Sequence, residues 1–331
     1  MSTTRQGRAL RGLCLALALS LVMAACGDDN TTTAGGEEGP AGGEQTLSGE
    51  IRIDGSSTVA PLSTAAAEFF AEEHPDVRIT VGTSGTGGGF EKFCNGETDI
   101  SDASRAIKDE EAAICQQKGV VYDEFQVAND GLSVVVHPDN TWAECLTVDQ
   151  LKKIWDEGST IKSWKQVDAK FPDVKLDLFG AGTDSGTFDY FTDAINGEEG
   201  RSRTDYNATE DDNVTVQGVS GSKGGLGYFG LSYLEQNKGK VKGVKIDGGG
   251  GCVEPNTETV QSGEYKPLSR PLFIYPTKKL LERPEGEAFV EFYLANTADI
   301  TEQALFVDLN DEQKDKVQKQ LETLKSGSPA K

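Results

Sequence analysis

Three times before Lys118 a short apolar run of strand length leads through a glycine- and hydroxyl-rich or polar turn into a stretch with helical spacing. Ile51 to Asp54 passes through GSSTVAP (55–61) into an amphipathic helix over Pro61 to Glu73, with Leu62, Ala65, Ala66, Phe69 and Phe70 on one face and His74-Pro75 as its stop. Val77 to Val81 alternates as a second strand before GTSGTGGGF (82–90), and a helix is expected to start over Phe90 to Cys94. Thr98 to Ile100 leads through SDASR (101–105) to a helix over Lys108 to Lys118. A repeated strand, loop and helix predicts an α/β sheet with helices on its faces. Ligands of such sheets gather beyond the carboxyl ends of the strands, where these loops fall.

A different region opens at Leu132 to Val136, a valine-rich strand followed by His137-Pro138. Val148 to Trp155 reads as a helix, Lys175 to Phe179 as a strand, and Phe188 to Ile195 as a helix starting from GTDSGT (182–187). Glycine is dense over 218–230 and again over 248–251. An extended apolar run, Leu272 to Tyr275, and helices over Glu285 to Leu294 and Asp311 to Leu324 complete the chain. No repeat of fixed period occurs. The expected organisation is one lobe from 46–131 and 271–331 and a second from 132–270, with two crossings between them that imply a hinge.

The first 25 residues read as a targeting segment. Arg5, Arg8 and Arg11 precede an apolar run from Leu13 to Val22 that is too short to span a bilayer and ends in Met23-Ala24-Ala25-Cys26. Small residues before a cysteine resemble a bacterial lipoprotein signal, in which Cys26 becomes the lipid attachment site. Residues 26–45 are mostly Gly, Thr, Asp and Glu, a composition that cannot bury a core and is expected to act as a flexible tether. The net charge of −22 becomes three units more negative once the signal arginines leave, which argues against nucleic acid and anionic lipid as partners. Cys94, Cys115, Cys145 and Cys252 remain for the exported part, an even number consistent with two disulfides. Three pairings are open. Cys94 with Cys115 and Cys145 with Cys252 is preferred because it joins near neighbours first. With no CxxC spacing and only His74 and His137 to help, no metal centre or cofactor is expected.

Each hydroxyl-and-glycine cluster placed before a helix can offer backbone N–H groups, hydroxyls and the positive end of the helix dipole to a small anion. Any one of them could equally be plain capping or a turn. Four of one kind point to one cause, a small-anion site. Competing motifs fail: Gly225-Leu226-Gly227-Tyr228-Phe229-Gly230 fits GxGxxG with no strand read as leading into it, GxxxxGK[ST] is absent, and GTDSGT has the wrong spacing for GxSxG.

Together, IDGSSTVAPL, SGTGGGFEKFCNGETDISDASR, DGLSVVVHP, LTVDQLKKIWDEGSTIKSW and GTDSGTFDYF resemble the periplasmic phosphate-binding protein family, the substrate-capturing subunits of phosphate ABC importers. The resemblance covers nearly all of 50–300. It implies an α/β, two-lobe periplasmic-binding-protein fold (type II) with two hinge crossings, closing around inorganic phosphate and delivering it to a membrane permease, with no reaction catalysed. It implies a monomer held outside the cytoplasm on the cell membrane by its lipid. The corresponding phosphate-binding residues are Ser57 and Thr58 in the first loop, Ser84 or Thr86 in the glycine loop with Thr86 preferred, Ser104 and Arg105 in the third, and Ser185, Gly186 and Thr187 in the second lobe. Well-known members of that family carry an aspartate where this chain has Ser104, and an arginine a few residues before SGT where it has Ala181 or Gly182, while an SR-bearing branch resembles this chain. Arg105 then supplies the missing positive charge, and Asp102 or Asp184 is a candidate for the missing carboxylate. Two other readings are a binding protein for another tetrahedral oxyanion, sulfate or molybdate, and an exported serine hydrolase or phosphatase using Ser185 with His137.

Overall fold

The computed structural model describes residues 46–183 and 185–325; the signal, tether, Cys26 and Asp184 lie outside the described residues. The strands are β1 (Gly49–Gly55), β2 (Val77–Gly82), β3 (Ile100–Ala103), β4 (Phe125–Val136), β5 (Cys145–Thr147), β6 (Asp177–Ala181), β7 (Asn207–Thr209), β8 (Gly225–Gly230), β9 (Lys242–Gly243), β10 (Lys245–Asp247), β11 (Cys252–Val253) and β12 (Ser269–Pro276). A nine-stranded sheet runs in the order β2-β1-β3-β12-β4-β8-β6-β7, with β9 also on β4, and β11-β10-β5 form a small second sheet. β1 pairs in parallel with β2 and β3, and β6 in parallel with β7 and β8, each set with its crossover helices.

β4 joins these two parallel sets. Between Phe125 and Gly131 it pairs with β12, and from Leu132 to Val136 it pairs with β8. The apolar side chains divide in the same place. One core is drawn from Leu132 to Leu268 with Val307, another from Ile51 to Ala128 and Leu272 to Leu321, and a smaller one gathers Phe90, Phe93, Phe273 and Tyr275. Disulfides join Cys94 to Cys115 and Cys145 to Cys252. Among the described residues no helix is long and apolar enough to cross a membrane.

The helix Ala60–Glu73 carries its proline in the first turn and ends at His74, as its sequence signals require. Val148–Trp155 starts from a reciprocal cap: Thr147 Oγ1 accepts the Gln150 N–H at 3.1 Å, and Gln150 Oε1 accepts the Thr147 N–H at 2.9 Å. Three elements differ from expectation. The glycine loop is already helical from Gly85, because only glycine lets this turn lie on β1: a methyl on Gly89 would sit 2.5 Å from Gly55 Cα and 3.1 Å from Ser101 Oγ. β4 starts seven residues before Leu132, at Phe125, running through polar residues that are buried in place, among them Asn129 and Asp130. The glycine-dense stretch 225–230 is itself a strand, β8.

Candidate anion site

The first loop leaves β1 at Gly55. The Ser56 N–H donates to the Asp102 carbonyl at 2.9 Å, and Ser56 Oγ accepts the Thr58 N–H at 3.2 Å. The Ser56 carbonyl accepts the Ala60 N–H at 3.0 Å, so Ser57 and Thr58 are held at a helix start, and both line the cleft. From the other core, the helix Gly186–Phe191 starts at Ser185, whose Oγ accepts the Thr187 N–H at 3.1 Å. Its far end is anchored by Phe191, stacked on Tyr228 with ring centroids 3.8 Å apart and set edge-on to Trp155. The two loops meet, since a methyl on Gly186 would lie 2.8 Å from Thr58 Oγ1 and 3.2 Å from Thr58 N. They bound a cleft of about 240 Å³ together with Asp130, Asp212 and the segment Leu305 to Val307.

A charge cluster that the sequence reading did not nominate stands at this meeting point. Arg270 on β12 and Asp130 on β4 are register partners, and Arg270 Nε donates to Asp130 Oδ2 at 3.1 Å. Arg270 Nη2 donates to Thr58 Oγ1 at 3.0 Å, and the guanidinium lies 3.6 Å from the centroid of the Tyr190 ring. Tyr190 is fixed by its hydroxyl, which donates to the Pro267 carbonyl at 2.8 Å. Burial raises the Asp130 carboxyl above the usual carboxylate range even against the Arg270 charge. Burial and the neighbouring Asp211 and Glu210 push Asp212 up to about 6. The signal for Arg270 and Asp130 is a charged residue beside apolar strand runs, Leu272 to Tyr275 and Leu132 to Val136, where a lone charge would be costly to bury.

The glycine loop and the third loop form a second group. Thr86 Oγ1 lies 3.0 Å from Ser104 Oγ and accepts the Ser104 N–H at 3.2 Å. Arg105 makes a two-pronged pair with Glu111, both bonds at 2.8 Å, and its guanidinium lies 5.7 Å from the Phe90 ring centroid. Ser84 donates through N–H and Oγ to Asp54 Oδ1, while Lys92 holds Asp54 Oδ2 at 2.6 Å. Against the pull of burial, those bonds keep Asp54 below the usual carboxylate range. Asp102 lies under the first loop and is fully buried: Ser63 Oγ donates to its Oδ1 at 2.8 Å, and its Oδ2 has no partner. Burial, with the Asp54 charge, raises it to about 8. The hydrolase pair is not assembled: His137 Nδ1 accepts the Asp139 N–H at 3.0 Å, Ser185 Oγ serves its own helix start, and no hydrogen bond joins them. Among the described residues no group of three or more His, Cys, Asp or Glu could hold a metal ion.

Residues 40–297 match the family model described as a PBP superfamily domain. The chain is 45% identical over 262 residues to Protein SphX of Synechococcus elongatus, covering 78% of this chain and 77% of that one. It is 42% identical over 296 residues to the phosphate-binding protein PstS of Staphylococcus saprophyticus, covering 89% and 88%. Among solved structures it is similar to a possible phosphate binding protein from Planctomyces limnophilus, with 50% identity, a TM-score of 0.81 and coverage of 84% of this chain and 99% of that one. An ABC-type phosphate transport receptor from Vibrio cholerae, 23% identical over 78% of this chain and 99% of its own, shares the fold with a TM-score of 0.63.

Proposed function

The chain belongs to the PBP superfamily, and from that premise we propose that it is an extracytoplasmic solute-binding protein that captures inorganic phosphate between two lobes and delivers it to an ABC-type importer. The observation that carries this reading is the meeting of Ser57 and Thr58 with Ser185, Gly186 and Thr187 across one small cleft. About three charge-assisted hydrogen bonds of roughly 1.5 to 3 kcal/mol each sum to roughly 4.5 to 9 kcal/mol, whose upper end reaches the roughly 8 kcal/mol of a micromolar complex. Thr86, Ser104 and Arg105, on the same lobe as Ser57 and Thr58, complete the donor set. The cleft also carries the carboxylates Asp130 and Asp212. Phosphate keeps a proton near neutral pH and can use such an acceptor, whereas fully deprotonated sulfate is repelled by it. This favours phosphate over sulfate or molybdate, and it assigns the protein no reaction.

The lobes are 46–131 with 271–331 and 132–270, and the protein acts as a monomer. Residues 1–25 direct export, Cys26 carries the lipid, and 26–45 form the tether. Calorimetric titration of the exported protein, stripped of ligand by unfolding and refolding, tests the ligand. Micromolar or tighter binding of phosphate with much weaker sulfate and molybdate is expected; equal or tighter sulfate binding would replace the named ligand. Release of a Cys26→Ala variant from the membrane fraction is expected, and its retention there would remove the lipid anchor.

A further inference from the structure

The guanidinium of Arg270 sits on the seam between the two larger cores and touches a loop or helix from each side. Its strand, β12, pairs with β4 at the point where β4 changes partners, and the Arg270 to Asp130 bond is a cross-strand bond at that place. From there Nη2 reaches Thr58 in the first loop, and the planar face covers Tyr190 in the helix that begins at Gly186. The side chain is only 18% exposed. Its charge is largely matched by Asp130, so it is a poor source of free positive potential for an anion.

What Arg270 can supply is direction. A guanidinium only donates hydrogen bonds, so Thr58 Oγ1 must accept from it through a lone pair, and the Thr58 proton is turned away from Arg270. Thr58 Oγ1 lies against Gly186 and lines the same cleft, so a proton turned away from Arg270 has the cleft open to it. Resting on the phosphate reading above, we propose that Arg270 is a positioning residue: anchored by Asp130, it sets Thr58 as a donor to the bound anion and, through Tyr190, holds the opposite loop at the matching distance. Lysine cannot replace it, because an ammonium has neither the fork nor the flat face.

The test is a double-mutant cycle on phosphate affinity in the exported protein, with Arg270→Lys, Thr58→Val and the double variant. Arg270→Lys is expected to weaken phosphate binding by about tenfold or more, chiefly through faster dissociation. In the Thr58→Val background the same change is expected to cost only a few-fold. Additive losses, or full affinity in Arg270→Lys, would overturn the role, since a charge or a merely structural contact predicts no coupling to the Thr58 hydroxyl. Should Arg270→Lys misfold by circular dichroism, Tyr190→Leu against Tyr190→Phe carries the test. Leu removes the ring and is expected to weaken binding by about tenfold, whereas Phe keeps the ring and should bind more tightly than Leu; equal binding by the two overturns the proposal. Wild-type protein that ignores phosphate would instead overturn the phosphate reading, and this inference with it.

Discussion

Gly186→Ala tests the closeness of the two loops. The added methyl would lie 2.8 Å from Thr58 Oγ1, 3.2 Å from Thr58 N and 3.3 Å from Thr58 Cα. Ordinary contact begins near 3.5 Å, so one loop must retreat by roughly 0.7 Å. The Thr58 atoms are backbone and the root of a short side chain, so the retreat is a movement of one lobe edge against the other. A displacement of that size weakens hydrogen bonds that both loops make to one small anion, and losing the equivalent of one charged bond costs about 1.5 to 3 kcal/mol. Phosphate affinity should fall by about tenfold to a hundredfold. Stability should fall much less, because Gly186 is the half-buried first residue of its helix, on the cleft and not in a packed core. Calorimetric titration beside a thermal melt separates the two. Unchanged affinity in a variant that melts normally would mean that the loops do not approach each other in the liganded protein.

Gly89→Ala should behave in the opposite way: its methyl would meet Gly55 Cα at 2.5 Å where the helix Gly85–Cys94 packs on β1, costing about 1 to 3 kcal/mol of stability, read as a lower denaturant midpoint. Asp102, raised to about 8, binds its proton more tightly folded than unfolded, so its contribution is complete below about pH 4 and is lost as pH rises toward 8. Asp102→Asn should therefore flatten the fall in stability between those limits, and an unchanged slope in urea titrations across pH would refute the assignment. Arg105→Ala leaves Glu111 without its cation beside Thr86 and Ser104 and should weaken phosphate binding about tenfold; full affinity would make Arg105 only a local partner of Glu111.

Much of the architecture could be read from local pattern. The first helix is marked at both ends, by Pro61 and by His74-Pro75, and alternation marks β2. Where glycine fills a helix, local propensity points the wrong way and only the approach to β1 explains it, which is why Gly85–Cys94 read as a loop followed by a shorter helix. Thr297–Ala304 went unread because Asn296 alone separates it from Pro284–Ala295, and its own apolar face is small. At the site, the hydroxyl clusters announce themselves by composition. Arg270 and Asp130 do not, because they lie 140 residues apart and acquire meaning only when antiparallel register sets them opposite each other. A strand pattern shows which face a residue takes but not which strand it will meet.

The continuity of β4 has a consequence for how the molecule comes apart. Its twelve residues supply backbone hydrogen bonds to β12 at one end and to β8 at the other, without a loop between them. Melting either half would strip one end of this strand and leave an unpaired edge on the half still folded, so neither core has a comfortable state on its own. Heat or denaturant should therefore take the two cores together in a single cooperative transition, and any opening of the cleft must come from bending an intact strand rather than from slack in a linker.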